Sequence, residues 1–189
     1  ADVSDTRAVA ADDRWFSSPF ALCAVRSDWK KVGVTPLVFA RRVGGTLFAH
    51  MFLVDVFGLG LKDCYPVQPV REDDFLRMVF TRSFPSGHVS WSAAQGRAFV
   101  WQAAEFARLN GFVPPSGWRE CARATGVEPE DPRVDPALFS GGRRGVHVIG
   151  DWEDIRRRLA RPMDLSEAIV DWERRGFDFT LGSKHMPLP

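Results

Sequence analysis

Two aspartates and a lysine stand close together at the end of the most apolar stretch of the chain. Asp55 interrupts the otherwise apolar run 46–57, and Lys62 and Asp63 open the next extended segment. A buried carboxylate needs a partner, and a hairpin would bring Lys62 near Asp55. Acids that hold a divalent ion, with a lysine beside the attacking water, are the set a metal-dependent nuclease uses. The three residues therefore predict either a phosphodiesterase site or a structural ion pair at a turn.

A Pro-Ser-Gly-His string at 85–88 is the second candidate. It resembles the signature of type-2 phosphatidic acid phosphatases and vanadium haloperoxidases, in which the serine and histidine contact a phosphate. The resemblance implies roles for Ser86 and His88 and a later histidine nucleophile, for which His147 is the candidate. The Arg-Pro pair 161–162 follows the string, whereas that family places one before it. The alternative is a turn before a helix, with Ser86 or Ser90 as the N-cap.

Cysteine chemistry is the third candidate. Cys23, Cys64 and Cys121 are widely spaced and form no Cys-x-x-Cys pair, so neither a zinc knuckle nor a redox motif is predicted. Cys64 could pair with His50 on a neighbouring strand as nucleophile and base, and buried apolar filler is the alternative. The histidines have no metal-ligand spacing. We therefore expect no cofactor, no metal, and buried thiols in a reducing, cytoplasmic compartment.

Surface residues favour recognition over chemistry. Arg97 and Trp101 are spaced to lie on the polar face of one helix, where the guanidinium can stack on the indole. An exposed tryptophan beside an arginine is typical of an anchor in a protein interface. The pair therefore predicts a surface that binds another protein subunit.

Arginines also concentrate in the last quarter of the chain, where they could contact several phosphates of a nucleic acid. The six candidates lie on two short helices separated by Pro162, namely Arg156, Arg157, Arg158, Arg161, Arg174 and Arg175. Acidic residues are interleaved with them, so a self-paired, solvated surface is the alternative.

Hydrophobic patterning places strands first and helices later. Strands are predicted at 20–26, 36–43, 46–57 and 61–67, with Gly44-Gly45 as a hairpin turn. A helix through Arg82 and a longer one over 90–110 follow, and shorter helices come after a long irregular loop at 126–144. This order predicts an α+β fold, an antiparallel sheet of about four strands followed by helices packed on one face.

Three stretches, 52–63, 103–114 and 139–151, together resemble a family of bacterial proteins with no assigned activity. Some members of that family are joined to helical-repeat or zinc-binding segments. The resemblance covers about residues 20–155, implies one domain with strands before helices, and implies no catalytic residue. We accordingly predict an N-terminal arm at 1–18, an α+β domain at 19–155 and a helical extension at 156–189.

Composition limits the classes of function. The chain has 189 residues, 45% of them hydrophobic, and a formal net charge of +1, so no strong field attracts nucleic acid or membrane. The longest nearly uncharged run, 44–55, is far shorter than the ~20 residues of a membrane span. Because no complete catalytic set is present, we expect a non-catalytic binding or scaffold subunit of a protein or nucleoprotein assembly. A phosphodiesterase or phosphatase acting on phosphate esters is the alternative.

Overall fold

The computed structural model describes residues 17–127, 139, 148–150, 152–175 and 179–181. Its centre is a five-stranded sheet of order β4-β3-β2-β1-β5, antiparallel throughout. The strands are β1 Phe20–Arg26, β2 Val34–Val43, β3 Thr46–Asp55, β4 Gly60–Arg71 and β5 His88–Ser90. The short helix α1, Trp29–Val32, links β1 to β2. The predicted α+β fold is thus confirmed, and β5 is a short strand that the sequence did not reveal.

The β2–β3 hairpin forms at the predicted glycines. Val43 pairs with Thr46, and Gly44 has φ 60, a conformation that only glycine adopts without strain. From this turn the register runs without interruption to Val34 opposite Asp55. Both faces of these strands are buried, which explains their nearly continuous apolar sequence.

Two helices cover one face of the sheet. They are α2, Ala93–Leu109, and α3, Trp118–Thr125. Glycines permit the close contact: a Cβ on Gly96 would lie 2.5 Å from Cys23 Sγ, and one on Gly60 would lie 2.3 Å from the Ala103 carbonyl oxygen. The N-cap of α2 is Ser92, which forms a capping box with Gln95. Neither Ser86 nor Ser90 is the N-cap of this helix, because residues 88–90 form an extended strand that pairs with β1.

The helical segment predicted to end near Arg82 packs on the opposite face. It comprises Glu72–Asp74, a π-helical stretch Phe75–Phe80, and Thr81–Ser83. Phe75 is fully buried there beside Val38 and Met51 of the sheet. Helices α2 and α3 therefore lie on one face as predicted, and this segment adds a second, smaller layer.

The C-terminal part packs against the end of α2. It contains α4 Trp152–Arg156 and α5 Leu165–Arg174, and strands β6 Val148–Gly150 and β7 Phe179–Leu181 pair in parallel. Trp172 is buried with Phe112 and Ile155, and Leu159 bridges to Phe112. The predicted boundary at residue 155 stays a prediction, although residues on both sides of it share this small core. No helix in the described part of the chain is long and apolar enough to cross a membrane.

Candidate functional site

Asp55 closes the turn between β3 and β4. Its carboxylate accepts hydrogen bonds from the backbone N–H groups of Phe57 at 3.0 Å and Gly58 at 2.9 Å. The residue is 2% exposed, and burial raises the pKa of the carboxyl group while the turn amides and the charge of Lys62 oppose that shift. The hairpin thus brings Lys62 near Asp55 as predicted, and these hydrogen bonds suit a structural role for Asp55.

Asp63 lies apart from that turn. It is exposed on β4, and its carboxylate accepts the N–H of Cys64 at 2.8 Å. Within residues 17–127 and the other described segments, no group of three or more His, Cys, Asp or Glu side chains could hold a metal ion. The structure therefore places Asp55 in the core and Asp63 at the surface, rather than both on one metal-binding face.

Ser86 belongs to the turn before β5. Its backbone carbonyl accepts the Ser27 hydroxyl at 2.6 Å, and its own hydroxyl lies 3.5 Å from a terminal nitrogen of Arg26. Arg26 forms a two-pronged ion pair with Asp28 at 2.9 and 2.8 Å, which is the main reason that the pKa of Asp28 is lowered. These contacts tie the turn to the end of β1.

His88 packs edge-on against Phe80, with ring centroids 4.6 Å apart. His147 lies outside the described residues, so its distance from Ser86 or His88 stays open. Of the predicted phosphatase residues, Ser86 thus takes part in a turn and His88 packs against an aromatic ring.

Cys64 contacts another cysteine in the core. The interaction with the Cys121 thiol, followed by burial, raises the pKa of Cys64, and the same interaction lowers the pKa of Cys121. His50 is buried, and desolvation, followed by the nearby charge of Arg41, lowers its pKa to about 4. The group that interacts with Cys64 is therefore the thiol of Cys121 rather than the predicted His50. Spacing along the chain could not indicate this pair.

Trp101 is half-buried rather than open to solvent. It packs against the principal core, and its indole N–H is buried with no hydrogen-bond partner within the described residues. Arg97 is also half-buried. Burial lowers the pKa of Arg41, and the positive charge of Arg97 lowers it further. The predicted interface pair thus lies on a flank of α2 that is closer to the core than its sequence pattern indicated.

The C-terminal arginines are mostly paired within the chain. Arg156 bonds Glu153 at 2.9 Å, Arg157 bonds Asp154, and Arg175 bonds Asp171 at 2.9 Å. Arg161 and Arg174 are exposed. Surface pairs such as these compete with phosphate contacts, so the six arginines do not form one open cationic surface.

Arg158 turns inward and connects three segments. Its guanidinium donates to the carbonyl oxygens of Val113 and Leu61, each at 2.8 Å, and to that of Lys62. Desolvation lowers its pKa, and the charge of Asp63 opposes that shift. Arg158 therefore acts as a clamp between the end of α4, the start of β4 and the segment after α2.

A groove of about 740 Å³ opens beside this clamp. It brings together Lys62 and Asp63 with Arg157 and Arg158, which the sequence assigned to two different functions. Its remaining lining is largely apolar and consists of Leu53, Leu59, Val113, Pro114, Pro115, Ser116, Asp154 and Ile155. No local sequence signal identified these wall residues.

Three cationic and two acidic side chains line the groove. Lys62 stands beside Asp63 along β4, and Arg157 is paired with Asp154. Arg158 directs its donors to backbone carbonyls. The groove thus combines an apolar floor with a rim of both charge signs, a composition typical of ligand and peptide sites.

Comparison with known proteins adds no assignment: no family model, curated protein or solved structure matches this chain. The resemblance to a bacterial family without assigned activity accordingly stays an expectation.

Proposed function

We propose that this domain is a non-catalytic binding subunit, whose groove accepts a short apolar segment of a partner protein. The observation that carries the proposal is the groove of about 740 Å³ between β4, the segment 113–116 and residues 154–158. That volume lies within the roughly 300–1,000 Å³ typical of sites for small ligands, so a few side chains of a peptide would fill it.

The apolar floor supplies the main attraction. Leu59 and Ile155 are buried at its base, while Val113 at its edge is 38% exposed and would lose contact with water when a partner covers it. Burial of apolar surface contributes about 25 cal/mol per Å² removed from water. One aromatic anchor is therefore the partner feature that this floor suits best.

The walls are preorganised for binding. Pro114 and Pro115 have fixed φ angles, and Arg158 holds the opposite wall to β4 through three carbonyls. A preformed groove loses little conformational entropy when a ligand enters. This supports recognition of a flexible segment by a rigid site.

The mixed charges of the rim favour a neutral or mixed-charge partner over a phosphate ester. A phosphate site requires an excess of cationic donors, whereas the cations Lys62 and Arg157 here lie beside the anions Asp63 and Asp154. Nucleic acid is the less supported partner for the same reason, since Arg156 and Arg157 already bond acids of their own helix.

Selection of short random peptides displayed on phage tests the proposal. We expect enriched peptides to share an apolar anchor and to bind the purified chain, as measured by fluorescence anisotropy. Val113→Glu places a charge against the apolar floor and should weaken binding about tenfold or more. Val170→Glu is the matched control, because Val170 is 44% exposed on α5, away from the groove lining, and should leave binding unchanged.

Equal binding by the two glutamate variants would show that the peptides use another surface. Hydrolysis of bis(p-nitrophenyl) phosphate or p-nitrophenyl phosphate with Mg²⁺ or Mn²⁺ tests the alternative enzyme. Turnover that Asp63→Asn abolishes would replace the binding proposal with phosphate-ester chemistry in the same groove.

A further inference from the structure

We propose that Lys62 selects the partner of the groove by pairing with an acidic side chain next to the partner's apolar anchor. This role rests on the proposed binding function and adds the chemical class of the partner, a short segment with an aromatic residue beside an aspartate or glutamate. The place of Lys62 in a β-bulge, the pairing of the charges around it and the chemistry of the opposite wall all support this role.

Lys62 is the extra residue of a β-bulge at the start of β4. The pairing of β3 with β4 passes over it, because two consecutive residues of β3 face Asp63 and Leu61. In a regular antiparallel strand, the carbonyl groups of successive residues point to opposite edges, whereas those of Leu61 and Lys62 both accept the Arg158 guanidinium. Bulges change the direction of side chains, which explains how the adjacent residues Lys62 and Asp63 both line the groove.

The other two cations of the groove are engaged within the chain. Arg157 bonds Asp154, and the Arg158 guanidinium donates to three backbone carbonyls. Lys62 is half-buried, and no carboxylate among the described residues forms an ion pair with its ammonium. Its charge favours the ionised form of Asp55, but that carboxylate is bonded to the amides of its own turn. A partner carboxylate would give this ammonium a direct counter-ion.

Asp63 weakens the local positive charge without supplying that counter-ion. Its carboxylate accepts the Cys64 N–H at 2.8 Å, and its charge acts on Arg158. With three cations and two acids in the lining, the groove carries one positive charge in excess. One partner carboxylate therefore neutralises the groove, whereas a phosphate group, with a charge of about −1.5 to −2, would leave it negative.

The opposite wall favours an acidic side chain over the free carboxyl end of a chain. A terminal carboxylate is captured by a cluster of backbone N–H groups. In this wall Pro114 and Pro115 have no N–H. The N–H of Val113 donates to the Arg158 carbonyl at 2.8 Å. An aspartate or glutamate side chain needs only the ammonium of Lys62, so it is the source of the carboxylate that this site suits.

Methyl NMR with two blocked tetrapeptides tests this role on the full chain. The probes are acetyl-Gly-Trp-Glu-Gly-amide and its glutamine counterpart, which have the same size and differ in the carboxylate. Shifts of the Val113 methyl resonances give both affinities. We expect the glutamate probe to bind the wild-type chain about threefold more tightly or better. The difference should shrink at about 1 M salt, where charges are screened within ~3 Å.

Substitutions of Lys62 separate a specific contact from general attraction. Lys62→Gln should bind the two peptides equally, and Lys62→Arg, which keeps the charge, should retain the preference. Lys31→Gln is the matched control, because Lys31 is exposed on α1, outside the groove lining, and its loss should leave the preference unchanged. Methyl spectra recorded without peptide show that each variant is folded.

Equal affinities for the two peptides in the wild-type chain, or a preference that survives Lys62→Gln, would overturn the role of Lys62. Shifts at Val113 would in either case leave the proposed groove function standing. If neither peptide shifts the Val113 methyl resonances, the role of Lys62 is wrong, and the display selection decides separately whether the groove binds a segment. Tighter binding of acetyl-Gly-Trp with a free carboxyl end than of the glutamate probe would overturn the choice of an acidic side chain.

Discussion

Replacement of Arg158 by alanine is the perturbation that bears most directly on the architecture of the groove. The side chain donates hydrogen bonds to Leu61, Lys62 and Val113, and so connects the C-terminal segment to β4 and to the residues after α2. All three acceptors are backbone carbonyl oxygens, so they remain in place when the Arg158 side chain is removed. Removing the guanidinium leaves all three without this donor.

The expected cost is about 2–4 kcal/mol in the free energy of unfolding. Hydrogen bonds to a charged group contribute about 1.5–3 kcal/mol each, but carbonyls at the groove margin regain water when the side chain is removed, so the contributions do not add in full. Arg158→Lys should recover only part of the loss, because one ammonium cannot reproduce the planar fork of donors. The matched control is Arg156→Ala, whose side chain is 54% exposed and pairs with Glu153.

Urea denaturation followed by circular dichroism measures these differences. The control should change the free energy of unfolding by less than about 1 kcal/mol, as exposed ion pairs do. If Arg158→Ala is no more destabilising than Arg156→Ala, the clamp does not hold the groove wall. If Arg158→Lys is as stable as wild type, the geometry of the fork is unimportant.

Two further predictions concern the core. Gly96→Ala should destabilise the fold by about 1–2 kcal/mol, because the new Cβ would lie 2.5 Å from Cys23 Sγ and 2.8 Å from Phe39 Cζ, while better helix propensity recovers about 1 kcal/mol. Gly45→Ala, with nothing within 4 Å, is the control in the same denaturation assay and should be nearly neutral; equal effects would contradict the close packing of α2. The burial of His50 predicts a pH dependence. Its pKa is lowered from 6.5 to about 4, so the unfolded chain binds the proton more readily, and stability is full above pH 6.5 and is lost as pH falls toward 4. The loss should reach about 3 kcal/mol relative to a His50→Gln variant, and parallel pH profiles for the two proteins would show that His50 does not titrate as a buried group.

Local patterns predicted the sheet well, because a strand and its turn are encoded by neighbouring residues. The Gly44-Gly45 turn fixed the β2–β3 register, and β1 begins and ends at the predicted residues. The longer helix predicted over 90–110 was also correct, because α2 spans Ala93–Leu109. The N-cap was misplaced because Ser86, Ser90 and Ser92 are similar candidates, and only the pairing of β5 with β1 distinguishes them.

The site could not be predicted in the same way. Lys62 and Arg158 lie 96 residues apart, and their contact depends on how the C-terminal segment packs against residues 111–113. Arg158 resembles its exposed neighbours in sequence, yet its guanidinium turns inward. The contact between α3 and β4 likewise depends on Gly117, because a Cβ there would lie 2.7 Å from the Cys64 carbonyl oxygen. Such features follow from tertiary packing, which has no local periodicity.

Methyl NMR of the isotopically labelled chain, titrated with a peptide from the display selection, tests the central claim most directly. The groove predicts that the methyl resonances of Leu59, Val113 and Ile155 shift on binding. Resonances of Val170 and Val89, which do not line the groove, should stay in place. Shifts confined to Val170, Val89 or other residues outside the groove would contradict the account.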